Sequence, residues 1–311
     1  METPKSVNRF VFLFFLWFVL PVQILMTIGA AVLVYFCREL SDSFYVVNLM
    51  IMQDFLLMLI PILFYGHLKR DCLAEILPFK KLSGWNICYI VFIGFLMIPI
   101  MSFISVVTSL FYPNETVEVT EAILASSPVV GFIVMAVSPA LFEETIFRGF
   151  VFGGLKKFGV VGAVVLSAFY FGLFHMDLYQ IPYAMFAGCI MALVVYYTGS
   201  LFASMLLHLV INGVQVLVYY YAAGSVQVSQ DVIEAEAAAE TTLSDIAVYG
   251  TTAVVFGVLL FLMIKGFIRY NKKQLGFKPI EPETGHRLID GWFAGAVVIC
   301  ILYLLACELL F

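Results

Sequence analysis

Runs of apolar residues, each about as long as a bilayer is thick, follow one another along almost the whole of this chain. They fall at about 10 to 37, 44 to 66, 85 to 111, 127 to 155, 159 to 175, 180 to 198, 200 to 222, 246 to 268 and 291 to 311. A helix needs ~20 apolar residues to cross the hydrocarbon core, and backbone groups cannot be left unbonded in lipid. Such runs therefore predict an all-α, polytopic transmembrane helical bundle of about nine spans. Hydrophobic residues make up 63% of the 311 and charged residues 12%, against the ~45–50% apolar of a soluble domain, which excludes a water-soluble fold. The first run follows Lys5 and Arg9 as a signal peptide would, but it is too long and lacks a small-residue cleavage site, so it counts as a span. The run from 127 is overlong and holds Pro139, Glu143, Glu144 and Arg148. It is expected to be kinked, broken or re-entrant, and a break in the 127–175 region would leave eight spans.

Charge sorts by linker. Residues 67–84 hold Lys69, Arg70, Lys80 and Lys81, the next turn on that side holds Lys156 and Lys157, and residues 265–290 hold Lys265, Arg269, Lys272, Lys273, Lys278 and Arg287. The alternate linkers are acidic: Glu115, Glu118 and Glu121 in one, and Asp231, Glu234, Glu236, Glu240 and Asp245 in the other, neither with a basic residue. Arg38 alone breaks the pattern. Because Lys and Arg accumulate in short inner loops, the alternation predicts a multi-pass protein with its N-terminus cytoplasmic and its C-terminus outside, in the plasma membrane if the chain is bacterial. The basic linker reads as ordinary inner-loop charge or as a surface for anionic headgroups. The chain divides as one transmembrane domain, 1–311, with the chemistry gathered in 125–220 and further spans and the basic linker in 221–311. Cys37, Cys72, Cys88, Cys189, Cys300 and Cys307 show no paired spacing and read as small apolar residues. Nothing points to nucleic acid.

An ionisable group in a span costs at least ~2.5–3.5 kcal/mol on insertion scales, so retained ones face partners or water. In Glu143-Glu144-x-x-x-Arg148, residues 144 and 148 share one helical face and can neutralise one another, while Glu143 points about 100° away. One carboxylate is left over, available as a general base or simply part of an interfacial charge cluster. Phe171-x-x-x-His175 and His208-x-x-x-Asn212 each put two side chains one turn apart on other helices. Each is a candidate reacting group or an interhelical hydrogen-bonding residue. Asp54, alone in the second run, reads as the latter. If the three stretches converge, a glutamate and a histidine can activate water against a carbonyl, with His208 and Asn212 donating to the oxyanion.

These three motifs, in this order, resemble the CAAX protease and bacteriocin-processing family, also called type II CAAX prenyl endopeptidase-like, or Abi, proteins. The resemblance covers about residues 125–220. It implies an intramembrane endopeptidase with a water-filled cavity in which Glu143 is the catalytic glutamate, His175 its water-activating partner, and His208 and Asn212 the oxyanion pair. Glu144, Arg148 and Phe171 support them, and no covalent intermediate forms. It implies no cofactor, although Glu143, His175 and His208 would suffice as a zinc set. Membrane lipid and a peptide or membrane-protein substrate, such as a C-terminal or leader segment, are the expected partners. A non-catalytic bacteriocin self-immunity or scaffold protein and a proton-coupled transporter are the competing readings.

Overall fold

The computed structural model describes residues 3–25, 28, 48, 51, 52, 54–112, 114, 123, 127–225 and 242–310. Arg38, Glu115, Glu118, Glu121, the acidic residues from Asp231 to Glu240 and the side chain of Asp54 lie outside that description. Among the described residues there are helices and no strands. The longer helices are α1 (Pro4–Leu25), α2 (Leu56–Leu68), α3 (Gly84–Thr108), α4 (Pro128–Phe158), α5 (Val160–Phe174), α6 (Ile181–Thr198), α7 (Leu201–Ser225), α8 (Leu243–Gln274) and α9 (Gly291–Leu310). Six of them (α1, α3, α4, α6, α7 and α8) are long and apolar enough to cross a membrane. Apolar but shorter are α2, α5 and the stretch Gly291–Cys307 of α9.

Helix starts follow local chemistry. Thr3 and Ser6 form a capping box ahead of Pro4, Ser83 caps α3 through the Asn86 amide, and Thr242 and Asp245 cap α8 reciprocally. The Asp290 carboxylate accepts from the amides of Trp292 and Phe293 at the start of α9. The α6 helix ends on Gly199, whose φ of 63° is the left-handed conformation that lets the chain turn at once into α7.

Packing divides the interior in two. One apolar core lies mainly between α1, α4, α5 and α9, and a second joins α3, α6, α7 and α8. The outward faces are also greasy: Trp17, Phe64, Val161, Val254 and Phe261 are each more than half exposed, which in water would be an aggregation hazard and in lipid is the expected boundary. The most apolar window of α8 is 11% buried and that of α7 is 50% buried, so α8 faces outward and α7 is central.

The basic linkers meet at one end of the bundle. Ser200 donates to the Lys80 carbonyl at 2.5 Å, the Leu201 amide to Pro78 at 2.8 Å, Lys156 to the Glu75 carbonyl at 3.3 Å, and the Glu283 amide to Lys157 at 2.8 Å. Buried Asn8 donates to Leu288 and Asp290 and accepts from the Tyr170 hydroxyl. The basic linkers are thus neighbours in space.

Candidate active site

The α4 helix differs from its expected form. Instead of breaking at Pro139 it runs unbroken from 128 to 158, widened into π-helical turns at Ile133–Val137 and Thr145–Phe152. A proline has no N–H to give the carbonyl four residues earlier and its ring crowds that carbonyl. For Pro139 that carbonyl belongs to Met135, and it accepts instead from the Asn212 carboxamide of α7 at 2.9 Å. The second π turn begins immediately after Glu144. Such single-turn insertions are frequent at functional sites, and each advances less per residue than an α turn.

The α4 and α7 helices meet around Glu144. Glu144 and Arg148 are fully buried, and Arg148 Nη1 donates to Glu144 Oε1 at 2.9 Å, the one-turn pairing expected of them. The same oxygen lies 2.9 Å from His208 Nδ1. An ionised carboxylate only accepts, so Nδ1 carries the hydrogen and His208 Nε2 holds a lone pair in the neutral ring. That Nε2 is 3.9 Å from Glu143 Oε2, beyond hydrogen-bond length, and Glu143 is the less buried carboxylate, its side chain 14% exposed against 0% for Glu144.

His175 terminates α5. At ~1.5 Å per residue, fifteen residues advance about 22 Å, short of the ~30 Å hydrocarbon thickness, so the helix stops inside the bundle. The turn closes through Met176, whose φ of 51° is unusual for a side chain of that size and whose own side chain is buried. His175 Nδ1 is 2.9 Å from the Phe171 carbonyl, which can only accept, so His175 likewise presents a bare Nε2. Phe171 links the two imidazoles: its ring is edge-on to His175 at 5.0 Å and to His208 at 6.0 Å between centroids, and the Arg148 guanidinium sits 4.0 Å above it.

The structure therefore gathers Glu143, Glu144, Arg148, Phe171, His175 and His208 from α4, α5 and α7 into one buried neighbourhood, with Asn212 one turn beyond His208. Two residues that the sequence reading passed over belong to it. Ser204, fully buried one turn before His208, was legible as a polar residue on the same face of an apolar run. Gly188 lets α6 approach: a Cβ there would sit 2.9 Å from Ala168 Cα and 3.1 Å from Arg148 Nη2. Glu144 Oε2, Arg148 Nε and Arg148 Nη2 are buried without hydrogen-bond partners among the described residues. Among those residues no group of three His, Cys, Asp or Glu side chains is placed to hold a metal ion.

Charged groups and imidazoles enclosed by apolar helices define the class: an integral, multi-pass membrane protein with a polar centre inside its bundle. Residues 125–214 match the family described as Rce1-like, type II CAAX prenyl endopeptidase Rce1-like. No curated protein and no solved structure matches the chain.

Proposed function

We propose that the protein is an intramembrane endopeptidase that hydrolyses a peptide bond with water activated by Glu143 and a histidine. The observation carrying this reading is the meeting of Glu143, Glu144 and His208, from helices 64 residues apart in sequence, in the bundle interior. Glu143 takes a proton from water while a bare Nε2, of His175 as the motif assigns it, accepts the water's second hydrogen bond and orients the oxygen toward the carbonyl carbon. The new C–O bond forms as the carbonyl becomes an oxyanion. The Asn212 carboxamide has a second N–H beyond the one given to Met135, and it donates to that oxyanion. His208, its ring held by the Glu144 carboxylate at Nδ1, is the second member of the oxyanion pair that the motif assigns. Glu143 returns the proton to the amide nitrogen as the C–N bond breaks, without a covalent intermediate. Glu144 and Arg148 hold His208 in place. The substrate of this reading is a C-terminal or leader segment of a membrane-bound polypeptide, and the basic end of the bundle faces the cytoplasm.

A scaffold or self-immunity role is favoured by one feature: the Glu144–Arg148–His208 network joins α4 to α7 whether or not any chemistry follows. Profiling a peptide library by mass spectrometry against the full-length protein in detergent separates the two. Products that appear with the wild type and disappear with Glu143→Gln support hydrolysis, and equal yields from both remove it.

A further inference from the structure

A cavity of roughly 320 Å³ opens at the basic end of the bundle, and none of the residues of the candidate active site lines it. Its walls come from the linker before α3 and the ends of α4, α6 and α8, and they carry Lys80, Lys156 and Lys278 with no acidic side chain. We propose that it binds a phosphate-bearing anion held by these three lysines.

The pocket is built from fixed parts. Tyr196 and Tyr197 pack edge-on or tilted against Phe277 at 4.9 and 4.8 Å, the Ile280 amide donates to the Tyr196 hydroxyl, and Lys156 is tethered to the Glu75 carbonyl. The Lys80 segment is clamped by Ser200 and Leu201. The competing explanation for the lysines is that they neutralise helix C-termini. Each such end carries about half a negative charge, so three ends, less the positive start of α7, offset about one of the three lysine charges and leave roughly two. That residue of charge, gathered around one cavity with no carboxylate on its walls, matches a phosphate. Depth fits a headgroup as one source. Leu275 lines the cavity and also a neighbouring hollow with Trp85, which is 67% exposed, and tryptophan concentrates at the level where lipid headgroups begin.

The test uses the full-length protein in two arms. In nanodiscs of phosphatidylcholine with a minor fraction of phosphatidylglycerol, native mass spectrometry counts the phosphatidylglycerol retained. In detergent, the melting temperature is compared in potassium phosphate and in potassium chloride at equal ionic strength. Lys80→Gln, Lys156→Gln and Lys278→Gln are combined, with Lys273→Gln, an exposed lysine outside the cavity, as control. Each lysine removed is expected to lower anion preference about fivefold. Loss in the lipid arm alone identifies a headgroup, loss in the phosphate arm alone a soluble anion, and loss in both the shared phosphate chemistry. A triple variant that keeps the wild-type preference in both arms overturns the proposal. If the triple variant does not fold, Lys278→Gln alone decides: a loss beyond that of Lys273→Gln supports the site, and equality with it overturns the site.

Discussion

The carboxamides of Asn86 and Asn271 are as deeply buried as the charged groups of Glu144 and Arg148, yet the two pairs are completed differently. Asn86 and Asn271 exchange hydrogen bonds at 2.9 and 3.0 Å, and Asn271 gives another to the Phe267 carbonyl, so α3 and α8 are joined by a pair that asks for little more. Glu144 and Arg148 share one bond between them and, among the described residues, leave an oxygen and two nitrogens unpaired, with Glu143 and His208 facing one another across 3.9 Å. A saturated polar pair fixes a helix crossing. An unsaturated charged cluster in a low-dielectric interior is costly to keep and is expected where a site must receive water or a polar substrate.

Removing Arg148 should break this contrast most severely. Arg148→Gln leaves the Glu144 carboxylate buried without its counter-ion, a loss of about 3–5 kcal/mol, read as a large drop in thermal midpoint. Because the penalty belongs to the orphaned charge, adding Glu144→Gln should recover most of the stability but none of the activity. A double variant as unstable as Arg148→Gln contradicts the ion-pair account.

Asn212→Ala probes a residue with a foot in each category. Loss of an oxyanion donor lowers kcat about a hundredfold, whereas loss of the bond to Met135 lowers stability by about 1 kcal/mol. A variant that is less stable but turns over at the wild-type rate would make Asn212 purely a brace for the Pro139 segment. The smallest effect belongs to the saturated pair: Asn271→Ala should cost about 1 kcal/mol or less and leave kcat unchanged, and a lowered kcat would show that the two clusters are coupled.

Much of this arrangement was legible in the residues, and the parts that were not have physical causes. The apolar runs announce the helices because lipid permits little else, and the Glu144–Arg148 pair follows from helical spacing alone. The partner of His208 was not readable, since whether its Nδ1 meets Glu143 or Glu144 depends on how α7 crosses α4. The break expected at Pro139 did not form because Asn212, 73 positions away, meets the stranded carbonyl and the chain widens into π turns, both of them tertiary effects. The positions of α2 and α5, and the end of α5 at 175, were visible as apolar runs, whereas the left-handed turn at Met176 that follows is announced by no pattern.

The most direct test of the central claim measures product formation and thermal midpoint together for Glu143→Gln, with Asn271→Ala alongside. The account predicts that Glu143→Gln loses at least about a hundredfold in cleavage rate at an unchanged midpoint, while Asn271→Ala shifts only the midpoint. Cleavage by Glu143→Gln at the wild-type rate would contradict it.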